Sequence, residues 1–252
     1  MLITKIIFVI GFVFMLTLNI LANALPLNNR TTGQISDQYG NLFTPSGATF
    51  SIWGVIYVLL SFVVIYLLFK PNSFFENQVH LNIIWLLTAL SFFNGIWIVL
   101  WHFDKIFLSV IVMILMLITL GFLFTLTPAS ETLIKITVSI YFGWISVAMI
   151  ANVTVLLTKY SFNGFGIKPI YWLLLVLLIG VILSILVLLS TRNTIFVFVI
   201  IWAYLGILMR HISVSEWNKA YPLAIYSLIG FLVILVNATL FTFFKNDFKL
   251  YI

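Results

Sequence analysis

The chain has 252 residues, of which 63% are hydrophobic and only 7% are charged, whereas soluble domains average about 45–50% apolar and about 25% charged residues. With a mean hydropathy of +1.24, the composition predicts an all-α, polytopic membrane protein and excludes a soluble globular domain. The net charge of +6 arises mainly in the short connections between apolar runs, which is typical of topology signals and lipid headgroup contacts, so we expect no nucleic-acid partner.

Eight apolar runs are long enough to cross the hydrocarbon core of a bilayer, which is about 30 Å thick. We therefore expect an integral, multi-pass protein of the cell membrane, a helix bundle with about eight transmembrane helices and both termini on one side. The predicted spans are residues 4–25, 48–69, 81–102, 106–127, 132–158, 169–190, 194–210 and 222–244.

The first run has some features of a cleavable signal peptide, because it follows a single Lys and ends in Ala22-Asn23-Ala24. It is, however, longer than the apolar core of a usual signal peptide. We therefore expect residues 1–24 to be retained as a transmembrane helix.

The longest polar connection, residues 26–47, is rich in Asn, Thr, Gly and Gln and ends near Pro45 and Gly47. Such a connection predicts a structured loop. Taken alone, the aromatic residues that follow it are typical of the belt at a membrane–water interface. They are spaced as on one side of a helix, at Phe50, Trp53 and Tyr57.

The third span places Trp97 and Trp101 three and seven residues after Asn94. A polar residue followed by aromatics at these steps indicates one helical face. Asn94 and Trp97 either bond a neighbouring helix or contact a ligand, and the sequence leaves both alternatives open. Trp101 and His102 are typical of a span end at the interface.

The fifth span carries Tyr141, Trp144, Ala148 and Asn152 at three- and four-residue steps, so one helical face presents two aromatic rings and an amide. An amide in hydrocarbon costs free energy unless it finds a partner, so this face points at another helix or a ligand and away from lipid. By the same argument, we expect Asn237 in the last span to bond a neighbouring helix.

These segments resemble the translocator protein and tryptophan-rich sensory protein family, TspO/MBR. Trp53, Gly54 and Tyr57 match the Trp-Gly-x-x-Tyr of its second helix, which a Pro-containing loop precedes. Asn94 and Trp97 match Asn-x-x-Trp in its third helix. The fifth helix of the family reads Pro-Tyr-x-x-Trp-x-x-x-Ala-x-x-Leu-Asn, and it is matched at every spacing by Tyr141, Trp144, Ala148 and Asn152.

The chain departs from the family pattern at four places. Pro45-Ser46 replaces a Pro pair, the step from Phe50 to Trp53 is one residue short, Ile140 replaces Pro, and Ala151 replaces Leu. The resemblance covers residues 1–160, and the connection at 159–168, with two Gly and two Lys, ends it. We therefore predict a TspO/MBR-like five-helix domain over 1–160 and an additional three-helix transmembrane unit over 161–252.

The resemblance implies that the first loop covers a pocket between the second, third and fifth helices, which in the family binds porphyrins, other tetrapyrroles or, in some members, sterols. It implies a protein that binds, senses or translocates such a ligand, with no required cofactor. We expect membrane lipids and an apolar small molecule as partners, and a homodimer stays open. The implied ligand-binding residues are Pro45, Phe50, Trp53, Tyr57, Asn94, Trp97, Tyr141, Trp144, Ala148 and Asn152.

Two other classes of function fit the sequence less well. A secondary transporter or facilitator of a small solute is the alternative, but ion-coupled transport usually places a charged residue at mid-membrane, and the spans carry none there. An intramembrane enzyme needs a nucleophile with a base, a carboxylate pair or a metal cluster. The six acidic residues are scattered over loops and Cys is absent, so we expect neither catalysis nor a metal.

Overall fold

The computed structural model describes residues 1–24 and 27–251, and within them the backbone forms nine α-helices and no β-strand. Eight of the helices are long and apolar enough to cross a membrane, which confirms the predicted all-α bundle of eight spans. Residue 25 of the first predicted span and residue 26 of the predicted loop lie outside the described residues. The helices are α1 Leu2–Ala24, α2 Thr32–Gln38, α3 Ile52–Phe69, α4 Gln78–His102, α5 Ile106–Leu126, α6 Thr132–Lys159, α7 Pro169–Thr191, α8 Thr194–Ile212 and α9 Pro222–Lys245.

Residues at the helix ends account for where several helices begin. Asn77 and Asn193 precede α4 and α8, and the Oδ1 of each accepts a hydrogen bond from a backbone N–H in the first turn, at 2.9 and 3.1 Å. Asn favours this position because its side chain satisfies a donor that has no partner within the helix. Pro169 and Pro222 start α7 and α9, where a missing N–H costs no hydrogen bond.

The predicted structured loop contains the short helix α2. Thr31 and Gln34 cap it reciprocally: the Thr31 N–H donates to Gln34 Oε1 at 2.8 Å, and the Gln34 N–H donates to Thr31 Oγ1 at 3.3 Å. This is the capping box that a Thr followed three residues later by Gln predicts. The Trp101 ring N–H donates to Thr32 O at 3.2 Å, which ties α2 to the end of α4.

The described chain divides into two compact units. The first consists of the described residues within 1–24, 27–38 and 53–152, and in it α4 packs against both α1 and α5. The second consists of the described residues within 39–52 and 153–251. In the second unit α8 packs against α9 and against the 3₁₀ turn Gly47–Ser51, and α7 packs against α8 and α9. The predicted division at residue 160 into two domains stays a prediction.

Candidate functional site

Four tryptophans from three helices of the first unit contact one another. The Trp53 ring on α3 is stacked on Trp97 of α4, with ring centroids 5.5 Å apart, and Trp97 is stacked on Trp101 at 6.1 Å. Trp144 of α6 approaches Trp53 edge-on at 6.1 Å. We call these four residues the tryptophan cluster.

Two tyrosines complete the aromatic surroundings of Trp53. Tyr57 stacks on it at 5.7 Å, one turn along α3, and Tyr141 of α6 meets it edge-on at 6.0 Å. The sequence-predicted residues Trp53, Tyr57, Trp97, Tyr141 and Trp144 are therefore brought together, and stacked or edge-on geometry is favourable for such rings.

Burial differs sharply between these rings. Trp97 is 4% exposed, and Tyr141 and Trp144 are each 1% exposed. Trp53 and Tyr57 are only half-buried. Trp53 is thus the most exposed tryptophan of the cluster.

A chain of hydrogen bonds runs beside the rings and joins four helices. The Tyr57 hydroxyl donates to Asn19 Oδ1 at 2.7 Å, Asn19 Nδ2 donates to Asn94 Oδ1 at 2.7 Å, and Asn94 Nδ2 donates to the Tyr141 hydroxyl oxygen at 2.6 Å. Asn19 Nδ2 also donates to Met15 O at 2.9 Å within α1. Buried amides in hydrocarbon are stabilised by such cross-helix partners.

Asn19 is the member of this chain that sequence reasoning missed. It is 4% exposed and lies in the C-terminal part of a mostly apolar helix. The sequence contains a signal for Asn19, because a side-chain amide in the first span carries the same desolvation cost as Asn94 and Asn152 and therefore also needs a partner.

Gly95 brings α1 and α4 close enough for the two amides to meet. A Cβ at Gly95 would lie 2.5 Å from Phe14 Cε1 and 3.2 Å from Leu18 Cδ1, both side chains of α1. A hydrogen atom at this position lets the helix surfaces approach, as small residues do at membrane helix interfaces. The neighbouring residue, Asn94, then reaches Asn19.

The ring N–H of Trp97 is a buried donor without a hydrogen-bond acceptor among residues 1–24 and 27–251. Trp101, one turn further along α4, uses its ring N–H to bond Thr32 O. A buried N–H without a partner is costly. The Trp97 nitrogen is therefore a donor whose burial cost an acceptor that reached it would offset.

Asn152 and Ala148 lie further along α6 than Trp144. Asn152 is 2% exposed, and its Oδ1 lies 3.0 Å from the Ser109 hydroxyl of α5, which shares its proton with Ile106 O at 2.7 Å. Its Nδ2 is 3.7 Å from Met113 Sδ, also on α5. Asn152 thus joins α6 to α5, Ala148 is half-buried, and a ligand contact of either residue stays a prediction.

Pro45 and Phe50 belong to the second unit. The Pro45 carbonyl accepts a hydrogen bond from Arg210 Nη1 of α8 at 3.4 Å. Phe50 is half-buried in the 3₁₀ turn Gly47–Ser51, which packs against α8. Their predicted contact with a ligand stays a prediction.

A second polar cluster occupies one end of the first unit, around Glu131. Its carboxylate accepts a 2.8 Å hydrogen bond from the Tyr66 hydroxyl and lies 3.6 Å from His80 Nε2. Lys70 lies over the rings of Tyr66 and Phe74, and its contact with Tyr66 raises the pKa of Lys70 above its usual value, so the ammonium stays charged near neutral pH. These contacts join the ends of neighbouring helices.

A further sequence expectation concerns Asn237. The prediction that Asn237 bonds a neighbouring helix is wrong: Asn237 is exposed, and its Nδ2 donates to Val233 O of its own helix at 2.7 Å. Across the part of the chain that the structure describes, no three His, Asp or Glu side chains come together as metal ligands.

Comparison with known proteins places these helices in a family. The family model described as TSPO-like protein matches residues 5–240. The match includes the three segments that carry the tryptophan cluster and continues through most of α9. Neither the curated proteins nor the solved structures contain a match to the chain. Since the family match extends over far more than half of its 252 residues, this integral, multi-pass membrane protein belongs to the TSPO-like protein family.

Proposed function

We propose that the protein binds a flat, apolar molecule, such as a porphyrin, another tetrapyrrole or a sterol-like compound, at the tryptophan cluster, and senses or translocates it. The observation that carries this proposal is the half-buried Trp53 ring stacked on the buried Trp97 ring. A ligand that covers the exposed part of Trp53 would remove aromatic surface from its surroundings.

The polar atoms beside the rings have two different roles. Asn19, Asn94 and the two tyrosine hydroxyls satisfy one another, so their role is to hold α1, α3, α4 and α6 together around the rings. The Trp97 N–H remains as a donor for a carboxylate or carbonyl oxygen of the ligand. Apolar walls with few polar atoms are typical of small-molecule sites.

The proposed activity is binding without catalysis. The ligand and membrane lipids are the proposed partners, no cofactor is required, and the cell membrane is the proposed location. A homodimer is compatible with this activity.

The direct test compares Trp53→Ala with Trp85→Ala in purified protein titrated with protoporphyrin and followed by porphyrin absorbance. Trp85 is the matched control, because it is a tryptophan of α4 that is 43% exposed and lies outside the tryptophan cluster. Loss of the stacking ring of Trp53 is expected to cost about 1–2 kcal/mol of binding free energy, a roughly five- to thirtyfold rise in Kd.

Trp85→Ala is expected to leave the Kd unchanged. Equal affinities of the wild-type protein and both variants, or no binding at all by wild-type protein, would contradict the proposal. Identification of the molecules that co-purify in mild detergent, by absorbance and mass spectrometry, extends the test to the native ligand.

A further inference from the structure

Within the second unit, residues 42–51 are hydrogen-bonded along one side of α8. The Trp202 ring N–H donates to Thr49 O at 3.0 Å, and the Ser46 N–H donates to Gly206 O at 3.0 Å. Two further bonds continue the row, from Arg210 Nη1 to Pro45 O and from His211 Nε2 to Leu42 O. Residues 202, 206 and 210 are four apart, so they lie on one face of the helix.

Gly206 is the closest point of this contact. A Cβ at position 206 would overlap the Oγ1, Cγ2 and Cβ atoms of Thr49. Thr49 itself is 2% exposed, and its hydroxyl is 3.1 Å from Ser46 Oγ. The Thr49 side chain therefore fills the space that only glycine leaves on α8.

The far end of the row is held by a buried histidine. His211 is fully buried, its ring is stacked on Trp217, and Tyr221 meets it edge-on. Because the Leu42 carbonyl can only accept, His211 Nε2 carries the proton of this hydrogen bond. Arg210 beside it is paired with Glu216 at 3.2 Å, so the residues that hold Leu42 and Pro45 are themselves fixed.

We propose that α8 anchors residues 42–51 and that Gly206 is thereby a positioning residue for the proposed ligand site. Ile52, the first residue of α3, directly follows the anchored turn Gly47–Ser51, and Trp53 is the next residue. Anchoring the turn sets where α3 begins, and Trp53 lies in the first turn of that helix. This role gives a purpose to one of the last three transmembrane helices, and its consequence for binding rests on the proposed function.

The test introduces Gly206→Ala, with Gly230→Ala of α9 as the matched control. A Cβ at Gly230 meets nothing within 4 Å, so this change adds the same methyl group in a transmembrane helix without a clash. The chain has no Cys, so a single Thr44→Cys reporter can be labelled without background. Thr44 is 1% exposed, and its hydroxyl has no hydrogen-bond partner among the described residues, so the reporter loses no bond.

Labelling of the Thr44→Cys reporter by a water-soluble maleimide is expected to be slow in the parent and in Gly230→Ala, and roughly tenfold faster in Gly206→Ala. Overpacking by a methyl group costs about 1–3 kcal/mol, and about 1.4 kcal/mol is enough to shift the equilibrium between the anchored and the released segment tenfold. A separate Ser215→Cys reporter, at an exposed position of the same unit, should label equally in all backgrounds. Thr49→Ala removes Oγ1 and Cγ2 but keeps the Cβ atom 2.8 Å from the added methyl group, so it should restore slow labelling only in part when combined with Gly206→Ala. The Kd for protoporphyrin should rise and recover in parallel.

Unchanged labelling in Gly206→Ala would overturn the anchor. Faster labelling with an unchanged Kd would overturn the positioning role while leaving the anchor supported. Wild-type protein that binds no protoporphyrin would overturn the proposed function and the positioning role together, whereas the labelling rates would still support or overturn the anchor by themselves.

Discussion

The side-chain amides of Asn19 and Asn94 meet across the interface of α1 and α4, with 2.7 Å between Asn19 Nδ2 and Asn94 Oδ1. Each amide has a second role: Asn19 accepts from Tyr57, and Asn94 donates to Tyr141. The two amides therefore connect α3 to α6, because the hydrogen bonds run from Tyr57 of α3 to Asn19 of α1, on to Asn94 of α4 and then to Tyr141 of α6. Removing either amide leaves buried polar groups without partners, which costs more than the bond itself contributes.

We predict that Asn19→Ala lowers the free energy of unfolding by about 1–2 kcal/mol, because the Tyr57 hydroxyl and Asn94 Oδ1 both lose a partner. Asn237→Ala is the matched control, since Asn237 also donates to the carbonyl four residues before it but is exposed. It should change the stability by less than about 0.5 kcal/mol. Unfolding of both variants in mixed detergent micelles, followed by tryptophan fluorescence, measures the difference, and equal stabilities would show that the amide pair contributes nothing.

We predict that Gly95→Ala separates α1 from α4 and lowers the free energy of unfolding by about 1–3 kcal/mol, the usual cost of overpacking. The added methyl group would lie 2.5 Å from Phe14 Cε1. Gly121→Ala of α5 adds a methyl group that meets nothing within 4 Å, so it should be neutral or slightly stabilising. The same unfolding assay decides, and a destabilised Gly121→Ala with an unaffected Gly95→Ala would contradict the close approach.

The sequence predicts the local features of this protein well, because hydrophobic length and helical spacing are local properties. The eight spans and the aromatic, amide-bearing face of α6 follow from them. The partners of that face do not, since no local pattern shows that Asn94 meets Asn19, which is 75 residues away. The anchoring of Thr49 by Trp202 joins residues 153 positions apart and is equally invisible in the sequence.

Asn152 offers a second test of how an amide is used inside a span. Its Oδ1 accepts from Ser109, so Ser109→Ala and Asn152→Ala should each destabilise the protein by about 0.5–1.5 kcal/mol. The double variant should cost clearly less than the two single changes combined, because the two residues share one bond. Strict additivity would refute the bond. A protoporphyrin titration of Asn152→Ala, run alongside, tests the predicted ligand contact of this residue separately.

Trp97 and Trp101 lie one turn apart on α4, stack on each other and differ in what their ring N–H groups do. Trp101→Phe removes a donor that bonds Thr32 O, so we expect a loss of about 1 kcal/mol of stability and an unchanged affinity for protoporphyrin.

Trp97→Phe removes a donor that has no acceptor within the described residues, so we expect the opposite pattern, with stability changed by less than about 1 kcal/mol. Protoporphyrin carries two carboxylates, and a hydrogen bond to a charged group contributes about 1.5–3 kcal/mol. If the Trp97 N–H bonds one of these carboxylates in the wild-type protein, the affinity of Trp97→Phe for protoporphyrin should fall roughly ten- to hundredfold. The affinity for an alkyl-substituted porphyrin without carboxylates should fall much less. Equal losses for the two porphyrins would assign Trp97 to stacking alone and would contradict a polar role for its ring nitrogen.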